Sequence, residues 1–264
     1  MSPQPSPKKS PKDHPPAPVP LPERVDVLAF GPHPDDVEFC AGGFMLNMKR
    51  RGYRTVVVDF TRGEAGSRGT PSSRAAETAA ASAKLGLVAR ENLDLPDAAL
   101  EVTAAMTAPV TAAIRRWRPR LVVGPCPIDL HPDHVAAAEL VKRAYYLATI
   151  GKAEGGGLPP HRPEALIHYY GHQEPAPSFV VDVSDVWKEK LAVVACYATQ
   201  LGLDGAKGPA TNLTSPEFLR AYEARFAYWG SKIGTRFGEP FFAERVLAVD
   251  DPLAVLSARD GIVR

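Results

Sequence analysis

The chain lacks the features that would place it in several large classes of protein. It has three cysteines, Cys40, Cys126 and Cys196, and none forms a CxxC pair. Thiols so few and so scattered build no disulfide framework and read as buried groups in a reducing compartment. Metal ligation by Cys40 is open but disfavoured. No stretch reaches the roughly 18 uninterrupted apolar residues of a membrane helix. No apolar segment follows the basic residues near the N-terminus, as a secretory signal would require. The formal net charge is +1, so composition gives no reason to expect nucleic acid or an anionic membrane as partner. We therefore expect a cytoplasmic protein.

What is present is an ordinary globular balance over 264 residues, 45% hydrophobic and 23% charged, enough for one sizeable core. Residues 1–22 are different. They hold nine of the 27 prolines and almost no large apolar side chains, so they cannot bury enough surface to offset chain entropy, and we expect a disordered tail. The expected organisation is this tail, a domain over 23–250, and a C-terminal tail over 251–264. Within the domain we expect a core over about 23–150 and a lobe over about 160–250.

Short apolar runs alternate with helical patterns. Strands are predicted at 25–30, 54–60, 92–95 and 120–125, and helices at 41–52, 71–86, 102–117 and 134–148. Thr70 and Pro71 open the second helix and Gly86 stops it. Two further strands (165–170 and 179–183) and helices near 185–200 and 215–232 follow. Strand and helix alternating at this spacing predict an α/β fold, a parallel sheet with helices on both faces.

The chemistry sits at two strand ends. "PHPDD" follows the first predicted strand and "DLHPDH" the fourth. In open α/β sheets ligands bind beyond the carboxyl ends of the strands, so both clusters are predicted on one rim. They offer His33, Asp35, Asp36, Asp129, His131, Asp133 and His134. Imidazoles and carboxylates suit zinc, which in catalytic sites takes three protein ligands and leaves one position open. His33 and Asp36, three residues apart across a turn, can face one ion, and His134 can close the triad. Asp35 is then free as a general base, and His131 as an oxyanion donor or acid that Asp133 could orient. Either HPD stretch alone could be a turn in which Asp36, for example, merely caps a helix. Two such stretches at matched strand ends weigh against that.

Arg74, in the first turn of its helix, could clamp a substrate oxygen or carboxylate, or could pair with Glu77. Glu64 could hold its loop or touch substrate. His14, in the tail, reads as solvated. His161, His168 and His172 read as structural or surface residues, with His172, just past a strand end, the one nearest to a role.

Taken in order, "GPHPDDVEF…GG", "TRGEAGSRG", Arg74 with Glu77, "LPD" and "HPDH" resemble the LmbE-like (PIG-L) family of zinc-dependent N-acetylglucosaminyl deacetylases, over residues 25–245 or so. The resemblance implies a Rossmann-like three-layer fold with a small C-terminal lobe. It implies hydrolysis of the N-acetyl group of a GlcNAc conjugate, with Zn2+ as metal and Fe2+ as its possible replacement in the cell. By position it implies His33, Asp36 and His134 as metal ligands, Asp35 as base, His131 with Asp133 as the oxyanion-stabilising pair, and Arg74 as a substrate contact. Within the family, segments such as "RENLDLPDAAL", "PSFVVDVSDVWKEKLAVVACYATQ" and "YEARFAYWGSKIGTRFGEPF" are similar to the deacetylases of bacillithiol biosynthesis, which implies N-acetylglucosaminyl-malate as substrate. Its malate would need a cation, from Arg74 or an arginine of the 225–245 region. Pro32 before the first histidine, the proline-rich tail and the Gly-rich "ATIGKAEGGGLPPHRP" depart from the family pattern. The expected partner is thus a small-molecule GlcNAc conjugate, and the expected assembly a homo-oligomer.

Within the enzyme class, the alternatives are another aglycone (inositol, a diacetylated disaccharide, a lipid or an antibiotic sugar) or a broad-specificity thiol-conjugate amidase. Two readings from other classes compete. A non-catalytic sugar-binding module would need the metal ligands but not the carboxylate of Asp35. A dinucleotide-binding protein would need G-x-G-x-x-G after the first strand, where "GPHPDD" stands instead.

Overall fold

A computed structural model of the chain describes residues 21–205 and 207–253. The expected tail over 1–22, with His14, lies outside the described residues up to residue 20, as does the expected C-terminal tail from residue 254 onward.

The first half follows the expected alternation: β1 (Val27–Gly31), α1 (Asp36–Arg50), β2 (Thr55–Asp59), α2 (Pro71–Leu85), β3 (Ala89–Asn92), α3 (Ala104–Trp117), β4 (Leu121–Pro125) and α4 (Pro132–Leu147). It continues with β5 (Ala165–Tyr169), β6 (Phe179–Asp182), α5 (Trp187–Val194), α6 (Ala198–Leu201), α7 (Phe218–Lys232) and β7 (Gly238–Ala243). All seven strands form one sheet, ordered β3-β2-β1-β4-β5-β7-β6.

The strands run parallel from β3 to β5, with Ala29 of β1 paired to Val57 on one side and Val123 on the other. Alternate side chains enter opposite cores, as a sheet covered on both faces requires. Val27 and Ala29 point into the core under α1, α5 and α7. Leu28 and Phe30 point into the core under α3 and α4. The strand order reverses direction between β1 and β4, which puts a crevice at the carboxyl ends of those two strands.

Four local expectations are corrected, and one strand is missed. Helix α1 begins at Asp36 rather than 41, directly on the first motif. Strand β3 occupies 89–92 rather than 92–95, although Leu93 and Leu95 still donate to the Asp59 and Phe60 carbonyls beyond its end. The predicted helix over 185–200 breaks after Val194 and resumes for one turn at Ala198. The sequence reading also misses β7, which runs antiparallel to both β5 and β6. Gly238 and Pro240 disguise it, because glycine and proline are poor strand signals. The helix expected near 215–232 starts at Phe218.

Candidate active site

The two motifs meet at the crevice between β1 and β4. Asp35 is the N-cap of α1 with φ 136°, a conformation that costs a non-glycine residue on the order of 1–3 kcal/mol and persists where surrounding structure imposes it. The twist separates two consecutive carboxylates. Asp36 faces the histidines, with Oδ2 accepting from the His33 backbone N–H at 2.8 Å. Asp35 faces Arg74, whose Nη1 lies 3.3 Å from its Oδ2.

His33, Asp36 and His134 come together. His33 Nδ1 lies 3.2 Å from Asp36 Oδ2, and His134 Nε2 lies 3.3 Å from Asp36 Oδ1. Ligands of a tetrahedral zinc at ~2.0–2.1 Å stand about 3.3 Å apart, so the separations fit. The charge balance fits too. Burial pulls the His33 imidazole down, but Asp36 and Asp97 outweigh it and push it up to about 11. Burial likewise opposes protonation of His134, and Asp36 and Asp129 push it up to about 10. Burial raises Asp36, yet His134 and His33 hold it well below the usual carboxylate range. An acidic setting that retains two protons on imidazoles suits a divalent cation in their place.

Carboxylates on the far side support the candidate ligands. His33 Nε2 lies 3.1 Å from Asp97 and 3.3 Å from Asp133. Outer carboxylates of this kind orient metal-binding histidines. Asp97 belongs to the "LPD" stretch, to which sequence reasoning gave no role; its position just past β3, on the same rim, was the available signal. Asp133 also accepts the backbone N–H groups of Ala98 and Leu100. Its contact with His131 runs through its backbone N–H, which donates to His131 Nδ1 at 3.2 Å. Glu64 holds its loop: it accepts from the backbone N–H groups of Arg62 and Asp97.

His131 N-caps α4 and stacks on His134 with ring centroids 5.0 Å apart. Burial, then the neighbouring His33 and His134, lower its pKa. With Nδ1 accepting from Asp133, the neutral ring carries its proton on Nε2, a donor. Burial raises the Asp35 carboxyl and Arg74 lowers it, leaving it at about 7, near the optimum for a general base at neutral pH.

Arg74 is 6% exposed. Its Nη2 donates to the Pro34 carbonyl at 2.8 Å, so its guanidinium fixes the Asp35 turn and does not pair with Glu77. Glu77 instead accepts the backbone N–H and hydroxyl of Thr199. Arg225, in the region expected to supply a cation, is bonded to Glu174 and to the Tyr170 carbonyl. A cavity of about 520 Å³ adjoins Arg74 between α2 and the β2–β3 edge, lined by Pro34, Ala75, Ala79, Arg90 and others. None of His33, Asp36 and His134 lines it.

Cys40 is buried in the α1 core and joins none of the groups of side chains able to hold an ion. His168 is buried between the Pro125 carbonyl and Glu244, and His161 bonds the Pro119 carbonyl, as structural histidines do. His172 is different, with its ring 5.2 Å from that of His134 and its Nδ1 2.8 Å from Asp129.

A sheet switch point where two imidazoles and an aspartate could hold one metal ion, with a second carboxylate beside them, has the parts a metal-assisted hydrolase needs. Comparison with known proteins narrows the class. The model of the PIG-L family, GlcNAc-PI de-N-acetylase, matches residues 28–145. The chain is 30% identical over 227 residues, 81% of this chain and 80% of the relative, to the diacetylchitobiose deacetylase of Thermococcus kodakarensis. Among solved structures it is similar to the conserved protein TT1542 of Thermus thermophilus, with TM-score 0.78 and 39% identity over 86% of this chain and 98% of that one. It shares its fold with the N,N'-diacetylchitobiose deacetylase of Pyrococcus horikoshii, with TM-score 0.73 and 23% identity over 83% of each chain. The chain belongs to the PIG-L family of deacetylases. Among the described residues, no helix is long and apolar enough to cross a membrane.

Proposed function

We propose that this protein is a metal-dependent N-deacetylase of a GlcNAc conjugate, and that the conjugate is N-acetylglucosaminyl-malate, cleaved to glucosaminyl-malate and acetate. The observation that carries the chemistry is the placement of Asp35, a second buried carboxylate held by Arg74 at 3.3 Å, next to the His33–Asp36–His134 cluster. A cluster serving only to bind would not need the base.

His33 Nδ1, Asp36 and His134 Nε2 would hold the metal, zinc by its donor set. When bound, it supplies a Lewis acid that polarises the amide carbonyl and acidifies water. Asp35 takes the proton from the attacking water. Arg74 keeps that carboxylate turned into the crevice. His131 Nε2–H donates to the carbonyl oxygen as negative charge develops there. Asp133 and Asp97 keep the second nitrogen of His33 occupied. The proton collected by Asp35 is available to the departing amine, so the products are a free amine and acetate.

The malate assignment is supported by the segments outside the metal site that are similar to bacillithiol-pathway deacetylases. A second reading, an N-acetylated disaccharide as substrate, is favoured by the 30% identity to a diacetylchitobiose deacetylase. We further propose a homo-oligomer in the cytoplasm. The test is acetate release by zinc-loaded protein from GlcNAc-malate, diacetylchitobiose and free GlcNAc, with a metal-stripped control. Metal-dependent release fastest from GlcNAc-malate is expected. Faster release from diacetylchitobiose would keep the chemistry and reject the malate, and no release from any of them would reject deacetylation.

A further inference from the structure

We infer that Asp129 is a positioning residue that sets the tautomer of His134, with the chain after β5 built around its carboxylate. The inference rests on His134 being a metal ligand, as proposed above.

Asp129 lies in the loop between β4 and α4, and its side chain is 1% exposed. Its Oδ1 accepts from the His131 backbone N–H at 2.8 Å and stands 2.8 Å from His172 Nδ1. Its Oδ2 accepts from the His172 backbone N–H at 2.9 Å and stands 3.4 Å from His134 Nδ1. That nitrogen is buried and completes a hydrogen bond with no described group, so Asp129 is the acceptor positioned for its proton. A proton on Nδ1 leaves Nε2, the nitrogen facing Asp36, with its lone pair free for a metal.

Gly171 makes the arrangement possible. A Cβ there would lie 2.3 Å from Asp129 Oδ2 and 2.9 Å from His134 Nδ1. The chain leaving β5 therefore passes against this pair closely enough to exclude any side chain. One carboxylate thus ties together the ligand His134, the donor His131 and the His172 segment.

Asp129→Asn changes the tautomer effect, at the cost of the hydrogen bond from the His172 backbone N–H to the Oδ2 position. The amide oxygen can still accept at the Oδ1 position, but an amide nitrogen at the Oδ2 position donates. His134 Nδ1 would then act as acceptor, and its proton would move to Nε2, where it blocks a metal. Replacing a histidine's carboxylate partner by an amide imposes the wrong tautomer in the same way in a serine-protease triad.

The experiment measures zinc affinity by competition with a chelating indicator for the unaltered protein and Asp129→Asn, with thermal melts of both metal-free forms. The expected result is zinc binding weakened about 10- to 100-fold, with the metal-free melt lowered only by the lost His172 backbone hydrogen bond. Affinity within about threefold of the unaltered protein would overturn the inference. Failure of the unaltered protein to bind zinc would overturn the metal site and the inference with it. If Asp129→Asn does not fold, imidazole nitrogen NMR of the unaltered zinc-loaded protein decides. A proton on Nδ1 of His134 with zinc on Nε2 supports the inference, and the reverse overturns it.

Discussion

Two of the buried groups of charges that helix α1 touches differ in balance. Midway along it, Lys190 and Glu239 are both fully buried, with Nζ 2.7 Å from Oε1. Glu239 also accepts the backbone N–H groups of Gly43 and Phe44, and Gly43 is required there because a Cβ would lie 2.8 Å from its Oε1. Lys190 points its ammonium at the Phe226 ring, 3.4 Å from the centroid. One cation meets one anion, and the other contacts of both are filled. At the start of the same helix, two imidazoles face Asp36, Asp97, Asp129 and Asp133, with Asp35 beyond them. Acid exceeds base, and the protons on His33 and His134 make up part of the difference. A closed pair fastens helix to sheet. An excess of carboxylate around imidazoles is poised to accept a cation.

The largest effect should come from breaking the open group at its base. Asp35→Ala should lower kcat by about 10²–10⁴ while zinc content, read by elemental analysis, stays near one ion per chain. Near-normal turnover would refute the base assignment. Breaking the closed pair should act on stability instead. Glu239→Gln leaves a buried ammonium without its counter-charge and should cost about 3–5 kcal/mol in denaturant unfolding, with kcat of the folded enzyme unchanged.

A finer test joins Arg74 to Asp35. Burial raises the Asp35 carboxyl and Arg74 lowers it, to about 7, and as the proposed base it acts when deprotonated. Activity should therefore rise with pH through about 7. Arg74→Met removes the lowering influence, so the acidic limb of the kcat/KM profile should move to higher pH. A limb that stays in place would separate Arg74 from the base.

The smallest effect lies away from the site. Burial lowers the His168 pKa below its usual 6.5. The unfolded chain then binds the proton more readily, so this contribution to stability is complete above about 6.5 and is lost as pH falls below it. The slope is at most about 1.4 kcal/mol per pH unit. His168→Gln should flatten the stability profile below about pH 6.5 relative to the unaltered chain.

The local sequence was enough for the alternating elements, because β1 and β2 are continuous apolar runs and Thr70, Pro71 and Gly86 mark the ends of α2. It was enough to put His33, Asp36 and His134 on one rim, because strand ends in a parallel sheet point the same way. It was not enough for β7, whose glycine, proline and buried Glu239 look unlike a strand until Lys190 and α1 surround them. Nor could it assign Asp97, Asp129 or the direction of Arg74. Residue types and short spacings along the chain determined the fold class and the candidate ligands. Which carboxylate stands behind which histidine was decided only by tertiary structure. Those contacts join segments far apart in the chain, such as Asp97 with His33, and separation along the chain says nothing about which of them will meet.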